Sequence, residues 1–311
     1  MGILSELKLS VPWGHIAAKA WGSLKGPPVL CLHGWLDNAN SFDRLIPLLP
    51  QTFYYVAMDF GGHGLSSHHH PGFPYYQLDF VNEVCRVVTA LKWKRFSLLT
   101  HSFGGVIGSM FSCVFPEMVD KLILLESSPF FLDTVEMNNL LTYRRRSIEH
   151  LLQVEAKQQR PPKVVRPEEM LQGFLKNNIQ VGEECGKLLL ERGTTKVPGG
   201  LVLNRDRRLG LPQNHFEFLS KDQLAYFCKN IQARILLVRA TDGYHYYRPM
   251  EGSEEKQSLE SVLNVLKVTL KERYQYVEVP GNHYVHMQEP QRVAGIISSF
   301  LQGQLHGQAP L

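Results

Sequence analysis

Several things are scarce in this sequence, and each scarcity removes a class of explanation. No charge of one sign dominates: 33 Lys and Arg stand against 29 Asp and Glu, a formal net charge of +4. That excess is too small and too dispersed for a nucleic-acid surface, which needs basic residues massed on one face. Arg144-Arg145-Arg146 is the one dense basic cluster, and it lies in a helix-like segment where a solvated face is the expected role. The five cysteines, Cys31, Cys85, Cys113, Cys185 and Cys228, include no CxxC pair. An odd number without framework spacing suits free thiols in a reducing compartment. No apolar run is long enough to cross a bilayer, and the opening residues do not read as a signal peptide. Met1-Gly2 resembles a myristoylation start, but Glu6 stands where Ser or Thr is needed. Gln308-Ala309-Pro310-Leu311 is not a peroxisomal Ser-Lys-Leu signal. The expectation is a cytoplasmic protein, with peroxisomal or vesicle-associated placement left open. His68-His69-His70 has no distant ligand set to complete a metal site, so a solvated loop is expected there and no metal or cofactor is called for.

What is present describes a globular chain. The 44% hydrophobic and 20% charged fractions of 311 residues allow a sizeable core, in one large α/β domain or two smaller ones. Glu6 to Trp21 alternates around Pro12-Trp13-Gly14 and predicts two antiparallel strands. Short apolar runs then recur at Val29-Leu30-Cys31-Leu32, Tyr54 to Met58, Arg95 to Leu99, Lys121 to Glu126, Arg234 to Ala240 and Tyr274 to Val279. Between them lie helical patterns: one starting at Asn40 or Ser41, one from about Tyr76 to Leu91, one after Ser102, and others from about Ser253 and Pro290. Strands alternating with helices predict a mostly parallel sheet covered on both faces. From about 127 to 230 the rhythm changes to helices broken by Pro and Gly, read as a cap inserted into the α/β unit. The division expected is 1–126 and 231–303 for the core, 127–230 for the cap and 304–311 for a loose tail.

In such sheets ligands bind beyond the carboxyl ends of the strands, where His33, Asp59, Ser102 and Glu126 all fall. Thr100-His101-Ser102-Phe103-Gly104-Gly105 sits between a strand and a helix. A serine on so tight a turn is held in a sparsely populated backbone geometry with its hydroxyl exposed, and the first amides of the helix point at the reaction centre. The usual motif is Gly-x-Ser-x-Gly; here Thr100 replaces the first glycine, so a local shift must make room for a β-branched side chain.

Together His33-Gly34, the run Asp59 to Ser66, the serine turn and Gly281-Asn282-His283 with Pro290 beyond resemble the α/β-hydrolases. The resemblance covers nearly the whole chain. It is to the cap-bearing branch of esterases, epoxide hydrolases, dehalogenases and C–C bond hydrolases, and more narrowly to the mammalian serine hydrolase-like group. It implies an α/β-hydrolase fold, a mostly parallel eight-stranded sheet flanked by helices, with a helical cap after the sixth strand. It implies Ser102 as nucleophile, His283 as general base ahead of His286, and the amides of Trp35 and Phe103 as the oxyanion hole. For the acid behind the histidine, Asp242 is placed first and Glu126 close second. The usual Gly-x-x-Asp spacing is absent, since Asp242 comes one residue early and Gly243 fills the expected place. Asp59 is expected to be structural. Ser rather than Asp at the turn argues against chemistry that needs a carboxylate nucleophile.

The function expected is hydrolysis of a carboxylic ester or related acyl compound through an acyl-enzyme on Ser102, the substrate being a small apolar acyl or aromatic molecule. Two alternatives stand beside it: a catalytically weak hydrolase fold that serves as a binding protein, and a C–C bond hydrolase using the same Ser-His pair. Oligomeric state is not legible.

Overall fold

The computed structural model describes residues 5–132, 137–157, 161–243 and 253–303, with backbone alone for 253–259; the tail expected at 304–311 lies outside the described residues. Strands β1 (Ser5–Val11) and β2 (Gly14–Gly22) form the antiparallel opening pair. β3 (Pro28–Leu32), β4 (Tyr54–Met58), α1 (Gln77–Ala90), β5 (Phe96–His101), α2 (Phe103–Val114) and β6 (Val119–Leu125) follow. α6 (Lys221–Asn230) ends the inserted stretch, and β11 (Arg234–Asp242), α7 (Ser253–Leu270), β12 (Tyr274–Asn282) and α8 (Gln291–Leu301) follow it. The eight main strands lie in the order β1-β2-β4-β3-β5-β6-β11-β12, and every neighbour from β4 onward is parallel.

β3 and β5 are almost wholly buried because parallel strands are covered on both faces. Side chains alternate between faces along each strand. Thus Leu30, Leu32 and Leu98 join Phe80, Val84, Phe111 and Leu266 in one layer of core. Val29, Cys31 and Leu99 join Phe42, Val293, Ile297 and Phe300 in the other. Each such side chain withdrawn from water contributes roughly 1.5–3 kcal/mol before chain entropy is charged against it. All five cysteines are free. Among the described residues, no helix is long and apolar enough to cross a membrane.

Two expectations need correction. The helix expected to start at Asn40 or Ser41 is instead two 3-10 turns, Ala39–Phe42 and Ile46–Leu48. Long-range bonds hold this segment: the Ala39 N–H donates to Asp59, the Asn40 side chain donates to the Leu188 carbonyl, and Ser41 pairs with His286. Pro47 and Pro50 also leave too little chain for a regular helix.

The inserted segment, expected to lack strands, contains α3 (Leu140–Ala156), α4 (Pro167–Asn177) and α5 (Glu183–Gly193) and also two small sheets. β8 (Thr194–Val197) and β9 (Gly200–Leu203) form a hairpin around Pro198-Gly199. β7 (Phe131–Leu132) pairs in parallel with β10 (Phe218–Leu219). The Pro-Gly pair is a hairpin turn flanked by β-branched residues, so it marks strands there rather than a break between helices.

Candidate active site

Ser102 sits between the end of β5 and the first turn of α2 with φ 52° and ψ −120°. A non-glycine residue in that region is strained and persists only where its surroundings over-determine it. Here they do. The Ser102 N–H donates to the Leu125 carbonyl at 3.0 Å, and its carbonyl accepts from Ser127 Oγ at 2.7 Å.

Thr100 is accommodated without disturbing the turn. Its hydroxyl donates to the Ile123 carbonyl of β6 at 2.7 Å, and its methyl faces Gly108 of α2, where a Cβ would stand only 3.0 Å away. Gly104 brings α2 closer still, since a Cβ there would lie 2.2 Å from the Leu32 carbonyl oxygen. The room that a glycine at position 100 would supply comes from the helix instead.

His283, just beyond β12, places Nε2 3.1 Å from Ser102 Oγ and Nδ1 3.3 Å from Glu126 Oε2. Glu126 follows β6, is 3% exposed, and has φ 49°, a second strained position beside the first. Its other oxygen accepts the Ala240 N–H at 2.5 Å, which aims the carboxylate at the imidazole. A carboxylate can only accept, so it favours the tautomer with the proton on Nδ1, leaving Nε2 free to take the hydroxyl proton.

Asp242 lies elsewhere. Its exposed side chain accepts from Thr241 Oγ1 at 3.3 Å, and only its main-chain carbonyl turns toward the histidine loop, accepting from Gln180 Nε2. The position facing the site is 243, and a Cβ on Gly243 would fall 2.1 Å from Glu126 Oε2. Glu126 thus fills the space that a side chain at 243 would need. His286 is fully buried, bonded through Nε2 to Ser41 Oγ at 2.8 Å, and burial, with His283 nearby, pushes it down to about 3. It is packed away from Ser102.

On the other side of the serine stands the Gly34-Trp35 loop. Neither the Trp35 nor the Phe103 main-chain N–H is taken by another hydrogen bond among the described residues, and Phe103 opens α2, where the first amides have no intrahelical acceptor. The Trp35 ring lies 5.0 Å from that of Phe103 and 4.9 Å from His215, and its indole N–H donates to the Gly210 carbonyl. Phe216 stacks on Phe103 at 5.7 Å and on Phe131 at 4.6 Å. Two rings of the inserted segment, Phe131 and Phe216, thus extend an aromatic stack from Phe103, the residue after the serine, and Ser102 and His283 are each 8% exposed.

Some residues have duties other than those expected. His69 is built into the core rather than solvated: Nε2 meets Glu83 Oε1 at 2.8 Å and the ring stacks on Tyr75 at 4.2 Å. His68 and His70 are exposed. Asp59, by contrast, has contacts of the structural kind expected of it: it accepts the N–H groups of Ala39 and Leu65 and is gripped by Arg192 of α5. Gln180, between α4 and α5, accepts the His283 N–H at 3.0 Å and takes the Asn282 and Gln288 amides on its carbonyl. Nothing in the local sequence marks Gln180, because its partners lie about a hundred residues away.

A model of the family described as alpha/beta hydrolase fold matches residues 27–290. A serine hydrolase-like protein of Mus musculus is 63% identical over 303 residues, covering 97% of each chain. Serine hydrolase-like protein 2 of Homo sapiens is 64% identical over 301 residues, covering 97% of this chain and 95% of that one. Among solved structures, a hypothetical protein from Pseudomonas aeruginosa PAO1 is similar at TM-score 0.80 and 28% identity, covering 96% of this chain and all of its own (100%). A thioesterase domain from the curacin biosynthetic pathway is similar at TM-score 0.74 and 23% identity, covering 94% and 98%.

Proposed function

This chain belongs to the alpha/beta hydrolase fold family, and on that footing we propose that it cleaves carboxylic esters or related acyl compounds through an acyl-enzyme on Ser102. The observation that carries this reading is the file of contacts Ser102 Oγ, His283 Nε2, His283 Nδ1, Glu126 Oε2, at 3.1 and 3.3 Å, on a serine held at positive φ. A serine hydroxyl is a poor nucleophile until a neighbouring base takes its proton.

In this reading Ser102 Oγ bonds to the acyl carbon while its proton passes to His283. The carbonyl electrons move onto the oxygen, which the Trp35 and Phe103 amides receive. Collapse breaks the bond to the leaving alcohol, which takes the proton from His283. Water then attacks the acyl-serine, His283 accepting and returning its proton, and the acid leaves. Glu126 keeps the imidazole oriented and stabilises its cation without itself becoming protonated. The aromatic stack of Phe103, Phe131 and Phe216 favours an apolar acyl or aromatic group.

Thr100, which at first favours a weakly catalytic binding protein, loses that force because Gly108 makes room for it. The test is covalent labelling by a fluorophosphonate, comparing the parent protein with Ser102→Ala and His283→Ala. Labelling of the parent alone is expected. A folded parent that does not label would return the binding-protein reading to first place.

Gly243→Ala checks the acid from the opposite side. Its Cβ would displace Glu126 from the imidazole, and labelling should slow by roughly 10–100-fold, as expected for a misplacement of about 1 Å. Labelling at the parent's rate would mean that the carboxylate has no such role.

A further inference from the structure

His101, immediately before Ser102, takes no part in that relay, yet it is fully buried against it. Its Nε2 lies 2.9 Å from the main-chain carbonyl of His283. A carbonyl can only accept, so this contact requires the proton on Nε2. Nδ1 has no hydrogen-bond partner among the described residues, and facing it at 3.7 Å is Oδ2 of Asp37, a carboxyl 4% exposed. Both groups press on Gly34: a Cβ there would stand 2.8 Å from Asp37 Oδ2, 3.0 Å from His101 Nδ1 and 3.3 Å from Ser102 Cβ. A buried acid and a buried imidazole thus pack between the proposed oxyanion loop and the carbonyl of the proposed base.

We propose that Asp37 and His101 are a positioning pair: sharing one proton, they hold the His283 carbonyl, and with it the imidazole at Ser102, and they let go when that proton leaves. The proposal rests on the serine hydrolase reading of the site. With the shared proton present, closing the 3.7 Å gap to hydrogen-bond distance lets either the Asp37 hydroxyl donate to Nδ1 or Nδ1–H donate to the carboxylate, and in both cases Nε2–H still serves His283. Once it is lost, a neutral imidazole has one proton for two acceptors. The charged acceptor makes the stronger bond, so the proton moves to the Asp37 side and Nε2 turns a lone pair toward the carbonyl.

The proton's position follows from the surroundings. Burial raises Asp37 to about 7, against a hydrogen bond from Tyr284 that lowers it. Burial, then His286 and His283, hold His101 well below its ordinary value, so the shared proton resides on the carboxyl. The other groups near His101 are His283, Tyr284, His286 and His33; burial lowers both His286 and His33, so neither adds charge near neutrality. An acid with a raised pKa is protonated below that value. The hold is therefore present at lower pH and lost as pH rises through about 7.

The experiment is the second-order rate of fluorophosphonate labelling of the full chain from about pH 5 to about pH 9, with circular dichroism confirming each variant's fold. The parent should pass a maximum and then fall by about tenfold toward pH 9. Asp37→Asn, whose amide donates to Nδ1 at every pH, should keep its rate on the alkaline side. His101→Phe should be slower by about tenfold throughout with no alkaline fall, and His101→Gln, which can still donate to the carbonyl, should recover the rate without it. A parent profile that climbs to a plateau and superposes on that of Asp37→Asn would overturn the pair and leave the nucleophile standing. A parent that never labels would overturn the serine hydrolase reading itself.

Discussion

Glu126→Gln is expected to lower ester turnover by roughly 10³–10⁴-fold with KM little changed, whereas Asp242→Asn should stay within about twofold of the parent. A glutamine at 126 keeps the shape and loses the charge. Its amide can also donate to Nδ1, which moves the imidazole proton to Nε2 and aims it at Ser102 Oγ, the tautomer that cannot act as base. The cation formed during transfer would lose its counter-charge as well. Asp242 has neither lever, because its carboxylate is exposed and, among the described residues, its side chain bonds to the neighbouring Thr241 hydroxyl. Steady-state kinetics on a panel of aryl and alkyl esters decides the matter, with the labelling rate as a substrate-independent check. Collapse of the Asp242 variant with survival of the Glu126 variant would reverse the assignment.

Arg192→Ala should destabilise the folded chain by about 3–5 kcal/mol, lowering the thermal midpoint by on the order of 5–8 °C. The guanidinium reaches from α5 to both oxygens of Asp59, with Nε 3.1 and 2.8 Å from them, and to Glu6 on the edge strand β1. Asp59 is 0% exposed, and burial raises its carboxyl against the pull of Arg192 and of the Leu65 and Ala39 amides. Without the arginine, a buried carboxylate keeps two amides and loses its only nearby cation among the described residues, which is far costlier than losing an exposed pair. Glu6 supplies the control. Its side chain is 54% exposed, so Glu6→Ala should cost no more than about 1 kcal/mol. Arg192→Met with Asp59→Asn should lose less than Arg192→Ala alone, because no unpaired charge remains buried. Differential scanning calorimetry of these variants measures the ordering. An Arg192→Ala midpoint equal to the parent's would show that the link contributes nothing.

How far the chain could be read in advance follows from the range of the interactions involved. β3, β5, β6 and β11 stand out as apolar runs because a parallel strand covered on both faces has no polar side to blur the pattern. The turn at Ser102 is legible because strand, small residues and helix are contiguous. The hairpin at Pro198-Gly199 was hidden by the helical pattern on its N-terminal side, and the pair β7/β10 by strands of two residues whose partners lie far apart in the chain. Gln180, His101 and Asp37 were invisible for a related reason: their roles exist only through partners distant in sequence.

Local pattern and residues at strand ends are enough to give the α/β alternation and the candidates Ser102, His283, Asp242 and Glu126. Which carboxylate stands behind the imidazole depends instead on packing across the sheet. β6 and β11 are parallel neighbours, so their ends bring Glu126 and Asp242 to the same edge of the sheet, where order along the chain ranks neither. Side-chain direction separates them. Position 243 faces the site and is glycine, Asp242 points to water, and the space left at Gly243 is filled by Glu126.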